Sequence, residues 1–230
     1  MREVEAGVEY KINIGGKAFL LDKKKYDLLN YINMTNSITE GAKLTKISYR
    51  TALNYIDRIE STLEIAIVST SKGGKGGGGS TVLSYEGAKI LKECKKINAI
   101  MELHKDVNEI ETKILNIDKS KGVMTIEMNE VHITIPLNDN YEVGDKILAL
   151  ISYDNIFIML EPQESSVQNI IKGYITEISL NNEMIKIKVD IGGISLYSNI
   201  TLSAEEKLNL KIGKEVYVGF KAVSIATLKI

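Results

Sequence analysis

Cysteine, proline, histidine and tryptophan are nearly missing from this chain. Its 230 residues hold one cysteine, two prolines, two histidines, three phenylalanines and no tryptophan. With Cys94 alone no internal disulfide can form, and a reducing cytoplasm is the expected setting. His104 and His132 stand in separate segments, so no metal-ligand spacing arises from them. No apolar run is long enough to span a bilayer, and the start MREVEAGVEYK lacks the hydrophobic stretch of a signal peptide, so no membrane partner is expected. Neither a nucleophile–base pair nor a paired-carboxylate motif is present, which argues against an enzyme. Net charge is also scarce, at -1, but it is unevenly spread. Residues 1–105 carry 17 Lys/Arg against 12 Asp/Glu, and residues 106–230 carry 12 against 18. Any polyanion partner therefore belongs to the front half.

What is abundant in the front half is helix-start chemistry followed by glycine. Val8 to Ile14, the turn Gly15-Gly16 and Ala18 to Leu20 read as two short strands, and Asp22 can cap a helix through Tyr26, Leu29 and Ile32. Lys23, Lys24 and Lys25 crowd that helix's first turn, where the helix dipole disfavours cations, so they either face a nucleic acid or lie in solvent. Ser37 and Glu40 form a capping-box pattern. Ser48 can cap a second helix whose Ala52, Ile56, Ile59 and Leu63 share one face. A helix, a tight turn and a helix with a polar outer face is a helix-turn-helix pattern, and its second helix would offer Ser48, Tyr49, Arg50, Thr51 and Asn54 to the major groove of duplex DNA. The β-prone runs Ile65–Val68 and Thr81–Leu83 flank SKGGKGGGGS, a hairpin with a glycine tip. Glycine there lets the backbone approach phosphates, and Lys72 and Lys75 add charge. The loop lacks the Gly-Lys-Ser/Thr ending of a Walker phosphate loop, which excludes a transport ATPase.

A helical pattern runs from Ser84 toward Glu111. Ile90, Cys94, Ile97 and Met101 form one apolar stripe that His104 continues, and Leu103, Val107 and Ile110 form a second, which suits a dimer contact. From Lys113 the period becomes two and the chain repeats itself. Val143-Gly144-Asp145-Lys146-Ile147 answers Ile212-Gly213-Lys214-Glu215-Val216 at an offset of 69, and Ile114 answers Ile175 at an offset of 61. The extra residues of the second copy fall in Leu202 to Leu210, which reads as a short helix. Two tandem five-strand units of this size fit small OB-like barrels. The expected fold class is α+β and multidomain: a winged helix-turn-helix at 1–83, a linker and dimerisation helix at 84–111, and two β modules at 112–163 and 164–230.

The sequence resembles the ModE-type molybdate-responsive transcription regulators. The front half carries the resemblance in GGK at 15–17, SYR at 48–50, the glycine run 73–79, and Leu83 with Gly87. The rear half is similar to the paired Mop or TOBE oxyanion modules, through LEPQESSVQNIIKGYITEI at 160–178, NIT at 199–201, LNLKIGKEV at 208–216 and FKAVS at 220–224. The resemblance implies a homodimer, operator DNA as partner, and molybdate or tungstate as effector. It implies oxyanion ligands at Ser166, Gln168 and Asn169 (the family's S-x-R-N), at Thr201 and Ser203, and at Lys221 with the backbone amide of Ala222. Gln168 replaces the family's arginine and removes one full charge and its forked donors. The first repeat shows no S-x-R-N, and Leu53 stands where the family has tryptophan. An oxyanion-responsive regulator repressing molybdate or tungstate uptake is the first reading. A storage or buffering protein with weak or no DNA binding, and a winged-helix regulator that no longer binds the anion, are the alternatives.

Overall fold

A computed structural model describes residues 7–71, 80–181 and 183–230. Lys72 and Lys75 lie outside the described residues. The chain divides into two compact units, Met1–Ile100 and Met101–Ile230, each with its own apolar core.

The front unit opens with an antiparallel hairpin, β1 (Tyr10–Ile14) and β2 (Lys17–Leu21), turned by Gly15 and Gly16, both at positive φ. Three helices follow: α1 (Lys23–Thr35), α2 (Ile38–Leu44) and α3 (Tyr49–Leu63). Each begins where a side-chain oxygen accepts an orphan backbone N–H. Asp22 accepts from Lys25 at 2.9 Å, Ser37 from Glu40 at 3.3 Å and Ser48 from Thr51 at 3.0 Å. Ala52, Ile56, Ile59 and Leu63 are buried, as their spacing requires. The three first-turn lysines of α1 part company. Lys23 and Lys24 are exposed, while Lys25 pairs with Asp22 and holds its ammonium 5.1 Å from the centroid of the Tyr55 ring.

β3 (Val68–Ser71) and β4 (Ser80–Leu83) form a second antiparallel hairpin. β3 starts three residues later than the β-prone run Ile65–Val68 suggests. The carboxylate of Glu60, on α3, accepts the N–H groups of Ile67 at 2.7 Å and Val68 at 3.1 Å, so a helix side chain takes donors that a longer strand would have used. α4 (Tyr85–Leu103) starts at Ser84, whose hydroxyl accepts the Gly87 N–H at 3.0 Å. α4 stops at Leu103, short of the expected Glu111. Val107 and Ile110 lie instead in β5 (Val107–Asp118), where Asn108, Ile110 and Ile114 are buried on alternate positions. A four-residue interval between apolar residues fits either period, and the β-branched content after Asp106 favours the strand.

The rear unit contains two five-stranded antiparallel sheets. The strands are β5, β6 (Val123–Met128), β7 (Val131–Pro136), β8 (Lys146–Ser152), β9 (Phe157–Met159), β10 (Asn169–Asn181), β11 (Met184–Asp190), β12 (Ser195–Thr201), β13 (Glu215–Phe220) and β14 (Ile225–Lys229). A short helix, α5 (Leu202–Leu208), lies in the segment that makes the second copy longer. The repeat read from sequence is present hydrogen bond for hydrogen bond. Ile114 N–H donates to Asp145 O and Gly144 N–H to Ile114 O, and Ile175 N–H donates to Lys214 O and Gly213 N–H to Ile175 O. Gly144 and Gly213 both sit at positive φ, which glycine tolerates best. In each copy the long first strand pairs with two neighbours in turn, β8 then β6 for β5, and β13 then β11 for β10. A register shift marks the switch at Ile114/Asn116 and at Ile175/Glu177.

The sheets do not follow the boundary between the copies. Their orders are β14-β8-β5-β6-β7 and β12-β11-β10-β13-β9. The last strand of the first copy, β9, pairs with β13 of the second, and the last strand of the second copy, β14, pairs with β8 of the first. A division at 163/164 thus cuts the sequence repeat but not the hydrogen-bonded units. Each copy completes the other's sheet, and the buried residues of both form one continuous core.

Candidate functional site

The two copies also grip each other by asparagine. Asn169, at the start of β10, is buried, and its carboxamide bonds both backbone groups of one residue: Nδ2 donates to Thr134 O at 2.9 Å and Oδ1 accepts the Thr134 N–H at 2.8 Å. Thr134 lies on β7, an edge strand, so the amide pairs with backbone groups that have no neighbouring strand. Asn108 does the same for the opposite edge. Its Nδ2 donates to Tyr197 O at 3.0 Å and its Oδ1 accepts the Tyr197 N–H at 2.8 Å, on edge strand β12. The asparagine of the S-x-Q-N segment is therefore a clamp between copies, and one N–H of its Nδ2 has no partner among the described residues. Its counterpart Asn108 shows that the first copy retains this part of the pattern, in Lys105-Asp106-Val107-Asn108. A lone Asn in a changed context leaves no signal by which sequence alone could find it.

Beside the clamp, the two copies differ. In the first, the β5–β8 ladder extends to Val107 opposite Ser152, and the Tyr153 N–H then donates to Asp106 O at 3.0 Å. In the second, the β10–β13 ladder stops one pair earlier, at Asn169 opposite Phe220. The Ala222 N–H, corresponding to that of Tyr153, has no acceptor among the described residues, although Ala222 itself is only 4% exposed. Gln168 and Lys221, which correspond to the paired Val107 and Ser152, lie just beyond the end of the ladder, and their side chains point to no partner among the described residues. Ser166, Gln168 and Lys221 are exposed. The gathering of donors near this end of β10 and β13 is an ammonium, an amide and an unpaired backbone N–H, with the Ser166 hydroxyl three residues before the strand, and these donor types suit a tetrahedral oxyanion.

Thr201 and Ser203 are not part of that gathering. Thr201 pairs with Met184, which pairs with Asn181, at the far end of β10 from Asn169. The contour of the strand between those ends is roughly 40 Å. Thr201 caps α5 by accepting the Ala204 N–H at 3.2 Å, and its hydroxyl hydrogen remains available; Ser203 is exposed in the first turn.

In the front unit, Ser48, Tyr49, Arg50 and Asn54 are exposed at the N-terminal end of α3, with Thr51 half-buried. Ser48 and Thr51 are tied to each other by a 2.8 Å hydroxyl contact besides the cap, leaving Tyr49, Arg50 and Asn54 as side chains free to reach outward. Leu53 packs against the front core.

Comparison with known proteins bears on both halves. Residues 165–226 match the TOBE domain family. Over 101 residues, 44% of this chain, the sequence is 36% identical to the molybdenum import ATP-binding protein ModC of Haemophilus ducreyi, but that match spans only 29% of the import protein. Along nearly its whole length the chain is similar to a ModE-type regulator: it is 26% identical to the transcriptional regulator ModE of Yersinia pestis, over 90% of this chain and 93% of that one. Among solved structures, the cytoplasmic molybdate-binding protein ModG, crystallised with molybdate bound, shares the fold of 54% of this chain over 96% of its own, with a TM-score of 0.50 and 15% identity.

Proposed function

We propose that this protein is a molybdate- or tungstate-responsive transcriptional regulator, and not an enzyme, whose winged helix-turn-helix front unit binds operator DNA and represses oxyanion uptake genes. The observation that carries the reading is the early end of the β10–β13 ladder, which leaves the Ala222 N–H, next to Lys221, without an acceptor among the described residues while the first copy keeps the corresponding bond closed. The similarity to ModE supports the regulatory half, and the names of ModC and ModG support the anion. A dianion at this place draws on Lys221 for charge and on Ser166, Gln168 and the Ala222 amide for directed donors. Thr201 and Ser203 stand at the opposite end of β10, so they join such a site only when a second copy of the chain brings them to it. Anion binding would then be coupled to dimer geometry, and α4 joins β5 through only three residues, a short covalent path toward the recognition helices.

On the DNA side α3 is the recognition helix. Arg50 and Asn54 would read base edges, and the β3–β4 hairpin would flank the backbone as a wing. The test has two stages. Calorimetric titration with molybdate, tungstate and sulfate should show binding of the first two. A duplex shift assay with its own promoter region should then show anion-dependent binding that Arg50→Ala weakens about ten- to a hundredfold. Anion binding without DNA binding would favour a storage role; DNA binding without anion binding would remove the effector.

A further inference from the structure

The symmetry between the copies identifies one more residue at the anion site. The asparagine clamps fix the equivalence: Asn169 holds Thr134 as Asn108 holds Tyr197. The ladders extend it. Thr134 lies opposite Thr125 as Tyr197 lies opposite Lys188, and Ala222 corresponds to Tyr153. In the counterpart position these residues meet. The Tyr153 and Tyr197 rings lie 5.3 Å apart, the Lys186 ammonium sits 4.9 and 4.4 Å from their centroids, and that of Lys188 sits 5.7 Å from Tyr197. Two aromatic rings and a cation–π contact fill this place, and the Tyr153 N–H is already bonded.

At the other position every one of those features is reversed. Alanine and threonine replace the tyrosines, and the amide is unpaired. β7 packs against the turn that begins at Ala222. Thr134 is bound through its backbone to Asn169, the residue that ends the ladder next to Gln168, and its hydroxyl makes no hydrogen bond among the described residues. The Thr125 hydroxyl beside it likewise makes none. We infer that Thr134, carried on the first copy, is a direct oxyanion ligand of the site built by the second, that Asn169 is the positioning residue that presents it, and that the Tyr153–Tyr197 pair is what closes the equivalent place to an anion. The inference rests on the proposed oxyanion function.

The test uses the full-length chain titrated with sodium molybdate. Thr134→Val keeps the side-chain shape and removes the hydroxyl, so affinity should fall roughly ten- to a hundredfold, the loss of a hydrogen bond to a charged acceptor, with the urea midpoint unchanged. Thr134→Ser restores the donor and should restore binding, which a purely structural role would not predict. The double variant Ala222→Tyr, Thr134→Tyr copies a pair that the fold already holds in its other half; it should stay folded and lose molybdate. Thr134→Val binding as tightly as wild type, while Lys221→Ala does not bind, would overturn the assignment of Thr134 and leave the oxyanion function standing. No binding of molybdate or tungstate by the wild-type chain would remove the function and this inference together.

Discussion

Lys221 and Gln168 set the charge of the proposed site, and Asn169 sets its shape. Lys221 is the one cation of the gathering at the end of β13, so Lys221→Ala is expected to abolish detectable molybdate binding in a calorimetric titration, because a dianion stripped of water without a counter-charge bears a large desolvation penalty. Gln168 offers neutral donors where arginine would supply a charged fork, and Gln168→Arg is expected to tighten binding about tenfold or more. Asn169 should behave differently from both. Its amide satisfies two backbone groups of β7 at 2.8 and 2.9 Å in a buried setting. Asn169→Ala is therefore expected to cost about 2–3 kcal/mol in urea denaturation even without anion, and Asn108→Ala a similar amount. If Asn169→Ala leaves stability untouched and only weakens molybdate, the asparagine is a ligand after all.

At the scale of elements, local chemistry and close approach decide where helices and strands begin. Three front helices start at Asp22, Ser37 and Ser48 because each side chain satisfies an N–H that the helix cannot. Gly87, one turn into α4, is there for a different reason. A Cβ at that position would lie 2.1 Å from the carbonyl oxygen of Ile67, the same oxygen that accepts the Ser84 N–H. Gly87→Ala is expected to destabilise the front unit by about 3 kcal/mol or more, since backbone rather than a flexible side chain must move. A melting temperature within a degree or two of wild type would show that α4 shifts freely against the Ile67 backbone. The last strand is pinned by charge as well as by its ladder. Lys229 donates to Asp145 at 2.7 Å, and that bond, with the Glu142 N–H, holds the Asp145 carboxyl below the usual carboxylate range. A depressed carboxyl stabilises the fold above its ordinary pKa and loses that contribution as pH falls. Asp145→Asn should therefore flatten the acid limb of a stability-against-pH curve for the rear unit, and an unchanged acid limb would assign the pair no role.

For the molecule as a whole, the exchange of β9 and β14 joins the two copies of the rear unit through shared sheets rather than leaving two beads. A dimer is the expected state of the full chain. Ile97, Ile100, Met101 and Leu103 on α4 are 45–59% exposed, a row of apolar side chains that water does not favour. In the proposed site the separation of Thr201 from Lys221 along β10 calls for a second copy as well. Light scattering at micromolar concentration should give twice the chain mass with molybdate present, and a monomer under that condition would sink both the dimer and the shared site.

Much of this protein is legible in one dimension. Caps, apolar periods, the Gly15-Gly16 turn and the repeat of Gly144 in Gly213 depend on residues within a few positions of one another, so the sequence alone specified the helices of the front unit, the alternation of the rear strands and the doubling of the β unit. What it could not specify is which strand completes which sheet, because β9 and β14 present the same alternating pattern whichever neighbour they choose. The tertiary structure decided that each copy finishes the other. It also gave Asn169 a clamping role that its sequence context does not announce, and it ended α4 at Leu103 where a strand could bury Asn108 and Ile110 against the rear core. It brought β7, which carries Thr134, against the turn that begins at Ala222, an encounter no local pattern announces. Contacts between residues distant in sequence are settled by edge hydrogen bonds and shared burial, and those exist only once the chain has folded.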